Sequence, residues 1–143
     1  MDETHFRKLE RMYQSAPVNS KYDPDLTVRE GEATVTIPVR EDYFHPLASV
    51  HGAIYFKALD DAAFFAANSL IEDVFVLTTD FDIYFERPVS EGRIRAEGEV
   101  FNDNPDQLVA GAVAYDDAGN ELARGTGTFR RSEATLTPDI GYE

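Results

Sequence analysis

Cysteine is absent from the 143-residue chain, which excludes a disulfide framework, a thiol nucleophile, a zinc–cysteine site and an iron–sulfur cluster. No apolar run approaches the ~20 residues that a membrane-spanning helix needs. The first residues, Met1 to His5, lack the basic-then-apolar order of a signal peptide. We therefore expect a cytoplasmic protein that has no membrane partner.

Lysine is scarce, and acidic residues dominate the charge. The chain holds 27 Asp and Glu residues against 13 Lys and Arg residues, for a formal net charge of −14, and its only lysines are Lys8, Lys21 and Lys57. A field of this sign repels phosphate backbones, so we expect no nucleic-acid partner. Two origins of the acidity stay open, adaptation to high salt and an ordinary acidic surface.

No linker, repeat or low-complexity tract divides the sequence, so we predict a single domain over residues 1–143. Helices are predicted where apolar residues recur at helical spacing, and strands where they alternate with polar residues. In chain order the predicted elements are a helix at 3–14, a hairpin of strands at 26–30 and 33–40, a long helix at 52–71, strands at 75–87, 94–100, 107–115 and 121–130, and a tail at 131–143 with little apolar content. This order predicts an α+β fold in which one long helix covers one antiparallel sheet.

The long helix carries the unusual chemistry of this sequence. It is apolar almost all the way round, which is typical of a buried helix. Lys57, Asp61 and Asn68 lie within about 40° of one another and form a narrow polar stripe, from which Asp60 stands about 60° away. Asp60 is therefore predicted to lie among apolar side chains.

Asp60 has two interpretations that stay open at this point. A carboxylate among apolar groups is costly unless it is paired, and desolvation raises its pKa. Asp60 is either a structural acid, satisfied by Lys57 or by a backbone donor, or a general base or nucleophile in a mostly apolar cleft.

The dipeptide His51-Gly52 stands at the start of the same helix, where free N–H groups point at whatever is placed there. Gly52 allows a ligand to approach the backbone closely, and its N–H can polarise a carbonyl group. This donor and a desolvated Asp60 suit acyl chemistry. The two groups lie too far apart along one helix to meet at one carbonyl, so we expect a second subunit to supply the other half.

Four segments, taken in order, resemble the hotdog-fold acyl-CoA thioesterases, and in particular their phenylacetate-pathway (PaaI-type) branch. The segments are His51-Gly52 separated by seven residues from Asp60, residues 80–88, the turn that ends at Gly92, and residues 125–129. The resemblance covers roughly residues 25–130. It implies a long antiparallel sheet wrapped around one central helix, an acyl-CoA substrate, and a homodimer or dimer of dimers joined edge to edge.

The resemblance also assigns roles to individual residues. Asp60 falls on the family's catalytic carboxylate, Gly52 on its carbonyl-polarising amide, and Thr78 on a position that holds the attacking water. Strand alternation instead places Thr79 on the same face as Phe81, so either threonine can position the water. His45 stands where the branch usually has Asn or Gln, and we expect its imidazole to orient the site.

The remaining candidates line the substrate site. Phe56 and Phe64, with Tyr55 and Phe65, are expected to form an aromatic pocket that suits aryl and medium acyl groups equally. His51 either touches substrate or caps the turn. The spacing of His45, His51 and Asp60 matches no metal-ligand motif, so we expect no metal and no cofactor.

Two other functions stay open. The first is a hotdog hydratase or dehydratase that acts on acyl thioesters, since His45-Pro46 ahead of a helix with an acidic residue faintly resembles that branch. The second is a non-catalytic acyl-CoA binding module.

Overall fold

A long antiparallel sheet wraps around one central helix in the computed structural model, which describes residues 3–143. The helices are α1 (Glu3–Ser15), α2 (Asn19–Tyr22) and α3 (Gly52–Asn68), with short 3-10 helices at Glu41–Tyr43 and Pro138–Ile140. The strands are β1 (Asp25–Arg29), β2 (Glu32–Pro38), β3 (Val74–Phe85), β4 (Arg93–Val100), β5 (Leu108–Tyr115) and β6 (Glu121–Thr135). Over the described range the sheet has six strands in the order β1-β2-β4-β5-β6-β3, so β1 and β3 are its edges. The predicted α+β class and hotdog architecture are confirmed.

Helix α3 begins where His51 caps it. The backbone of His51 is extended, and its Nδ1 accepts the N–H of Ala53 at 2.9 Å, which satisfies one of the free donors of the first turn. Although α3 is strongly apolar, no helix within residues 3–143 combines the length and the apolar character that crossing a membrane requires.

Helix α3 ends at Asn68, three residues before its predicted end, because this side chain holds the turn that follows. Its Nδ2 donates to the carbonyl oxygens of Ile71 and Val74, each at 3.1 Å, and its Oδ1 accepts the N–H of Val76 at 3.0 Å. Asn68 is completely buried. It therefore fixes the entry into β3 rather than extending the predicted polar stripe on the helix surface.

The sheet approaches α3 most closely at β4. Ile94 and Ala96 point inward and are completely buried, as the alternation predicts. At the next inward position, a Cβ added to Gly98 would lie 2.5 Å from the backbone carbonyl carbon and oxygen of Ala62. The glycine therefore allows the helix backbone to lie directly on the strand.

Helix α1 covers the outer edge of β1. The N–H of Val28 donates to the Glu10 carboxylate at 2.8 Å, and the Val28 carbonyl accepts from the Arg7 guanidinium at 2.8 Å. Unpaired edge groups can recruit another strand, so these contacts protect this side of the sheet.

The C-terminal residues are more ordered than their composition predicts. Strand β6 continues to Thr135, past the start of the predicted tail at 131, because it pairs along the whole of β3. Beyond it the Tyr142 hydroxyl lies 2.7 Å from Nδ1 of the buried His5, whose Nε2 lies 2.9 Å from the carbonyl oxygen of Asn68. The end of the described chain therefore packs against the first turns of α1.

Gly98→Ala should destabilise the protein, because the added methyl group meets backbone atoms of α3 that cannot rotate away. We expect a loss of about 1–3 kcal/mol in the free energy of unfolding, measured by chemical denaturation. Glu97→Ala, at the exposed neighbouring position, is the control and should stay within about 0.5 kcal/mol. Equal effects of the two variants would contradict the close approach.

Candidate active site

The two groups singled out on α3 open onto separate cavities. The amide cavity, of about 370 Å³, lies at the start of α3 and is lined by His45, Ser49, Val50, Gly52, Tyr55, Phe85, Glu86, Arg87 and Pro88. The acid cavity, of about 300 Å³, is lined by Met12, Tyr13, Ala16, Val18, Asn19, Lys57, Asp60, Asp61, Phe64, Phe65, Phe75, Leu77 and Thr78. Gly52 and Asp60 are eight residues apart, which corresponds to roughly 12 Å along a helix. One chain therefore does not bring them together.

The amide cavity has an unpaired donor at the start of α3. His51 accepts the N–H groups of Ala53 and Ile54, at 2.9 Å on its Nδ1 and 3.0 Å on its carbonyl oxygen. Within residues 3–143 the N–H of Gly52 has no acceptor. The ring of Phe85 lies against Gly52, since a Cβ added there would come 3.0 Å from the ring. The helix thus presents a free N–H, at the positive end of its dipole, beside the cavity.

His45 is held by its own loop. Its Nδ1 accepts the N–H of Leu47 at 3.1 Å, and its Nε2 lies 3.0 Å from the hydroxyl oxygen of Ser49. Because Nδ1 accepts, the proton of the neutral ring is on Nε2, which donates to Ser49. The imidazole therefore lines the amide cavity while it braces the loop that leads into α3.

The acid cavity contains a desolvated carboxylate. Asp60 accepts the Thr78 hydroxyl at 2.8 Å. Burial raises the pKa of Asp60 from 3.8 to about 6, while the Thr78 hydrogen bond and the Lys57 charge oppose the shift and the Asp61 charge adds to it. Lys57 does not pair with Asp60, because its ammonium group binds Asp61 at 2.9 Å. Asp60 is thus held by one hydroxyl rather than neutralised by a cation.

A β-bulge decides which threonine reaches Asp60. The pairing of β3 with β6 shifts register between Thr78 and Asp80, and the extra residue reverses the alternation of side chains. Thr78 and Phe81 therefore both face α3, although they are three residues apart. Thr79 bonds Thr128 of β6 at 2.8 Å and lines neither cavity. The alternation that placed Thr79 on the inward face with Phe81 is wrong.

Helix α1 contributes a side chain that sequence reasoning missed. Tyr13 donates its hydroxyl to Asp61 at 2.6 Å, and burial with the neighbouring Asp61 charge raises the pKa of this phenol. The apolar stripe of α1 indicates a buried face, but the resemblance begins near residue 25 and nothing in the sequence shows what this face covers. The last turn of α1, which carries Met12 and Tyr13, lines the acid cavity.

Two of the predicted substrate contacts lie elsewhere. Phe56 is 40% exposed, packs edge-on against Phe81 at 5.5 Å, and lines neither cavity. The exposed His51 caps α3 and also lines neither cavity of this chain. Phe64, by contrast, lines the acid cavity together with Phe65 and Phe75, and the centre of its ring lies 5.0 and 5.1 Å from the centres of theirs.

Metal ligands are not clustered at either cavity. Over residues 3–143 no three or more His, Cys, Asp or Glu side chains converge as a metal site would require.

The family model of the Thioesterase superfamily matches residues 47–123, a range that contains both Gly52 and Asp60. The chain belongs to the Thioesterase superfamily, as the resemblance predicts. Two candidate esterases of Saccharolobus solfataricus are similar to it. One is 30% identical over 80 residues, which are 56% of this chain and 53% of that protein; the other is 24% identical over 117 residues, which are 82% and 79%. The first match thus spans about half the length of that relative.

Solved structures share the fold over nearly the whole chain. The Escherichia coli PaaI protein from the phenylacetic acid degradation operon has a TM-score of 0.85 at 22% identity, over 94% of this chain and 98% of that one. A thioesterase family protein from Silicibacter pomeroyi has a TM-score of 0.80 at 28% identity, over 88% and 96%. The likeness to PaaI and to the Silicibacter pomeroyi protein agrees with the predicted hotdog fold.

Thr78→Val should raise the pKa of Asp60 above about 6, because the lost hydroxyl stabilised the ionised carboxylate. The pKa is read from the pH dependence of the Asp60 carboxyl carbon by NMR. Thr79→Val is the matched control and should leave this pKa unchanged, since Thr79 bonds Thr128. Equal shifts in both variants would contradict the bulge assignment.

The same pKa has a consequence for stability. The folded-state pKa lies above the ordinary value of 3.8, so between these values the folded chain holds more protons than the unfolded chain. The contribution of Asp60 to the free energy of unfolding therefore falls as the pH rises from about 4 to about 6.

Proposed function

We propose that two copies of this chain form a cytoplasmic acyl-CoA thioesterase in which Asp60 is the catalytic carboxylate. The observation that carries the proposal is this carboxylate beside an apolar cavity, bonded by Thr78 and with a pKa raised by burial to about 6. Such a group is basic enough to take a proton from water and is still ionised at neutral pH. Membership of the superfamily supports thioester hydrolysis, and the PaaI-type motifs support CoA as the carrier.

A second copy supplies the missing half of each site. Leu77, Tyr84 and Phe85 on the edge strand β3 are 51%, 76% and 57% exposed, and exposed apolar side chains on an unpaired edge favour pairing with another strand. A two-fold axis through this edge covers these side chains and sets the two α3 helices antiparallel. Gly52 of one copy then lies beside Asp60 of the other.

The proposed reaction starts with the thioester carbonyl on the Gly52 N–H, which stabilises the negative charge that develops on the oxygen. Asp60 either takes a proton from the water that attacks the carbonyl carbon, or attacks this carbon itself to give an anhydride that water hydrolyses. In both routes the C–S bond breaks, its electron pair leaves with the CoA thiolate, and the acid is released. Thr78 orients Asp60 and the water, and His45 braces the amide cavity. Neither route uses a metal or a prosthetic group.

Asp60→Asn tests this role, because it keeps the shape and hydrogen bonding of the side chain and removes its charge. We expect kcat for thiol release from acyl-CoA to fall by roughly 10² to 10⁴, with little change in KM. The free energy of unfolding at pH 7 should rise by about 1–3 kcal/mol, since a desolvated charge is removed.

Asp61→Asn is the matched control and should show the opposite pattern. Lys57 loses its charged partner and Tyr13 a charged acceptor, so we expect stability to fall by about 1–3 kcal/mol while kcat stays within a few-fold. Loss of kcat in Asp61→Asn alone would contradict the assignment of Asp60. Hydration of an enoyl-CoA without thiol release would favour the hydratase alternative.

The shared site is tested by mixing two inactive variants. Gly52→Pro removes the N–H at the first helical position, where proline is tolerated, and the extended His51 before it suits a following proline. Co-refolding Gly52→Pro with Asp60→Asn should restore about a quarter of wild-type activity, because half of the dimers are mixed and each mixed dimer has one intact site. No recovery in mixed dimers, confirmed by sedimentation and tagged pull-down, would contradict a site built from two copies.

A further inference from the structure

Two carboxylates stand next to each other on helix α3, and their surroundings differ. Asp60 accepts one hydroxyl, from Thr78. On Asp61 a single oxygen, Oδ2, accepts both the Lys57 ammonium group at 2.9 Å and the Tyr13 hydroxyl at 2.6 Å. Burial is the largest cause of the raised Asp60 pKa, but the Asp61 charge also raises this pKa and the Lys57 charge lowers it. The state of Asp61 therefore matters to Asp60.

Lys57 is enclosed by the elements that pack on α3. Its side chain is 15% exposed, and its ammonium group lies over the rings of Tyr13 and Tyr22, 5.5 and 5.1 Å from their centres. Aromatic faces at such distances attract a cation. Among the described residues that line the acid cavity, Lys57 is the single cation. The proposed reaction gives this ammonium group no role of its own.

The second partner of Asp61, Tyr13, is held from two sides. Its ring packs edge-on against Phe65 at 5.1 Å, and Asn19 donates to its carbonyl oxygen at 2.7 Å. Both donors therefore reach Asp61 from fixed positions. Together they hold the Asp61 carboxylate in one orientation and compensate its charge.

We propose that Lys57 is a positioning residue, which compensates the charge of Asp61 together with Tyr13 and so keeps the neighbouring Asp60 ionised at neutral pH. The inference rests on the proposed function, in which an ionised Asp60 is the base or nucleophile. The titratable side chains that line the acid cavity in the described part of the chain are Tyr13, Lys57, Asp60 and Asp61. Burial and the Asp61 charge hold the pKa of the Tyr13 phenol above its ordinary value, so Tyr13 stays neutral. Lys57 is thus the group that offsets two adjacent carboxylates.

Lys57→Met tests this role, because it keeps an apolar stem of similar length and removes the charge. We expect the acid limb of the pH profile of kcat/KM to move up by roughly one pH unit. At pH 6 this corresponds to a fall in kcat/KM of roughly five-fold, which should disappear above about pH 8. Lys57→Arg keeps the charge and should keep the wild-type profile. A limb that stays in place in Lys57→Met, or that moves equally in Lys57→Arg, would overturn the proposal.

Removal of the Asp61 charge separates compensation from packing. Asp61→Asn leaves Lys57 without its charged partner beside Asp60, so the acid limb should move to lower pH. Adding Lys57→Met to Asp61→Asn should move the limb back up by roughly one pH unit, close to its wild-type position. A merely structural role predicts no such return. The comparison needs only the Asp61→Asn background, so it stands even if Lys57→Met alone does not fold, and equal limbs in these two variants would contradict the inference.

A measurement without substrate distinguishes this inference from the proposed function. The pKa of Asp60 is read from the pH dependence of its carboxyl carbon by NMR, in the wild type and in the same variants. If no acyl-CoA is hydrolysed, the thioesterase assignment fails, whereas an Asp60 pKa that rises in Lys57→Met and returns in the double variant would still support the role of Lys57. An Asp60 pKa that is the same in the wild type and Lys57→Met would overturn that role, whether or not the protein is active.

Discussion

The exclusion of water from helix α3 determines the layout of the rest of the structure. A helix with apolar side chains on nearly every face must be covered on all sides. The sheet lies so close to one side of α3 that only a glycine fits at position 98 of β4. Helix α1 covers another side, and its side chains form hydrogen bonds with β1 and with Asp61. Phe56 and the β3 edge remain exposed in a single chain. In the proposed dimer, the second copy completes the enclosure and the site together.

Asp60 is the exception to this enclosure, and the proposed chemistry depends on that exception. An ionised carboxylate beside the core lowers the stability of the fold at neutral pH, yet the same desolvation gives the group a pKa suited to proton transfer. The structure limits the penalty with one hydroxyl, from Thr78, rather than with a cation. A salt bridge to Asp60 would have stabilised the ionised carboxylate and lowered its pKa, which would have made it a weaker base.

The parts of the site that the sequence predicts are those governed by local geometry. Helical spacing alone separates Asp60 from the polar stripe and places Gly52 at a helix start, because a helix converts sequence distance into position. Thr78 could not be chosen over Thr79, since one extra residue in a strand reverses every side chain beyond it. The contacts of Tyr13 and Asn19 depend on where α1 and α2 dock, and no periodicity within these helices encodes that.

The two edges of the sheet differ in a way that limits assembly. On β1 the side chains of Arg7 and Glu10 already bond the backbone groups of Val28, whereas β3 exposes the apolar side chains of Leu77, Tyr84 and Phe85. A chain with two open edges could add copies at both ends without limit, as in a fibril. In the proposed dimer, pairing through β3 joins the edge that α1 does not cover in each copy, so the joined sheet would not extend beyond two copies.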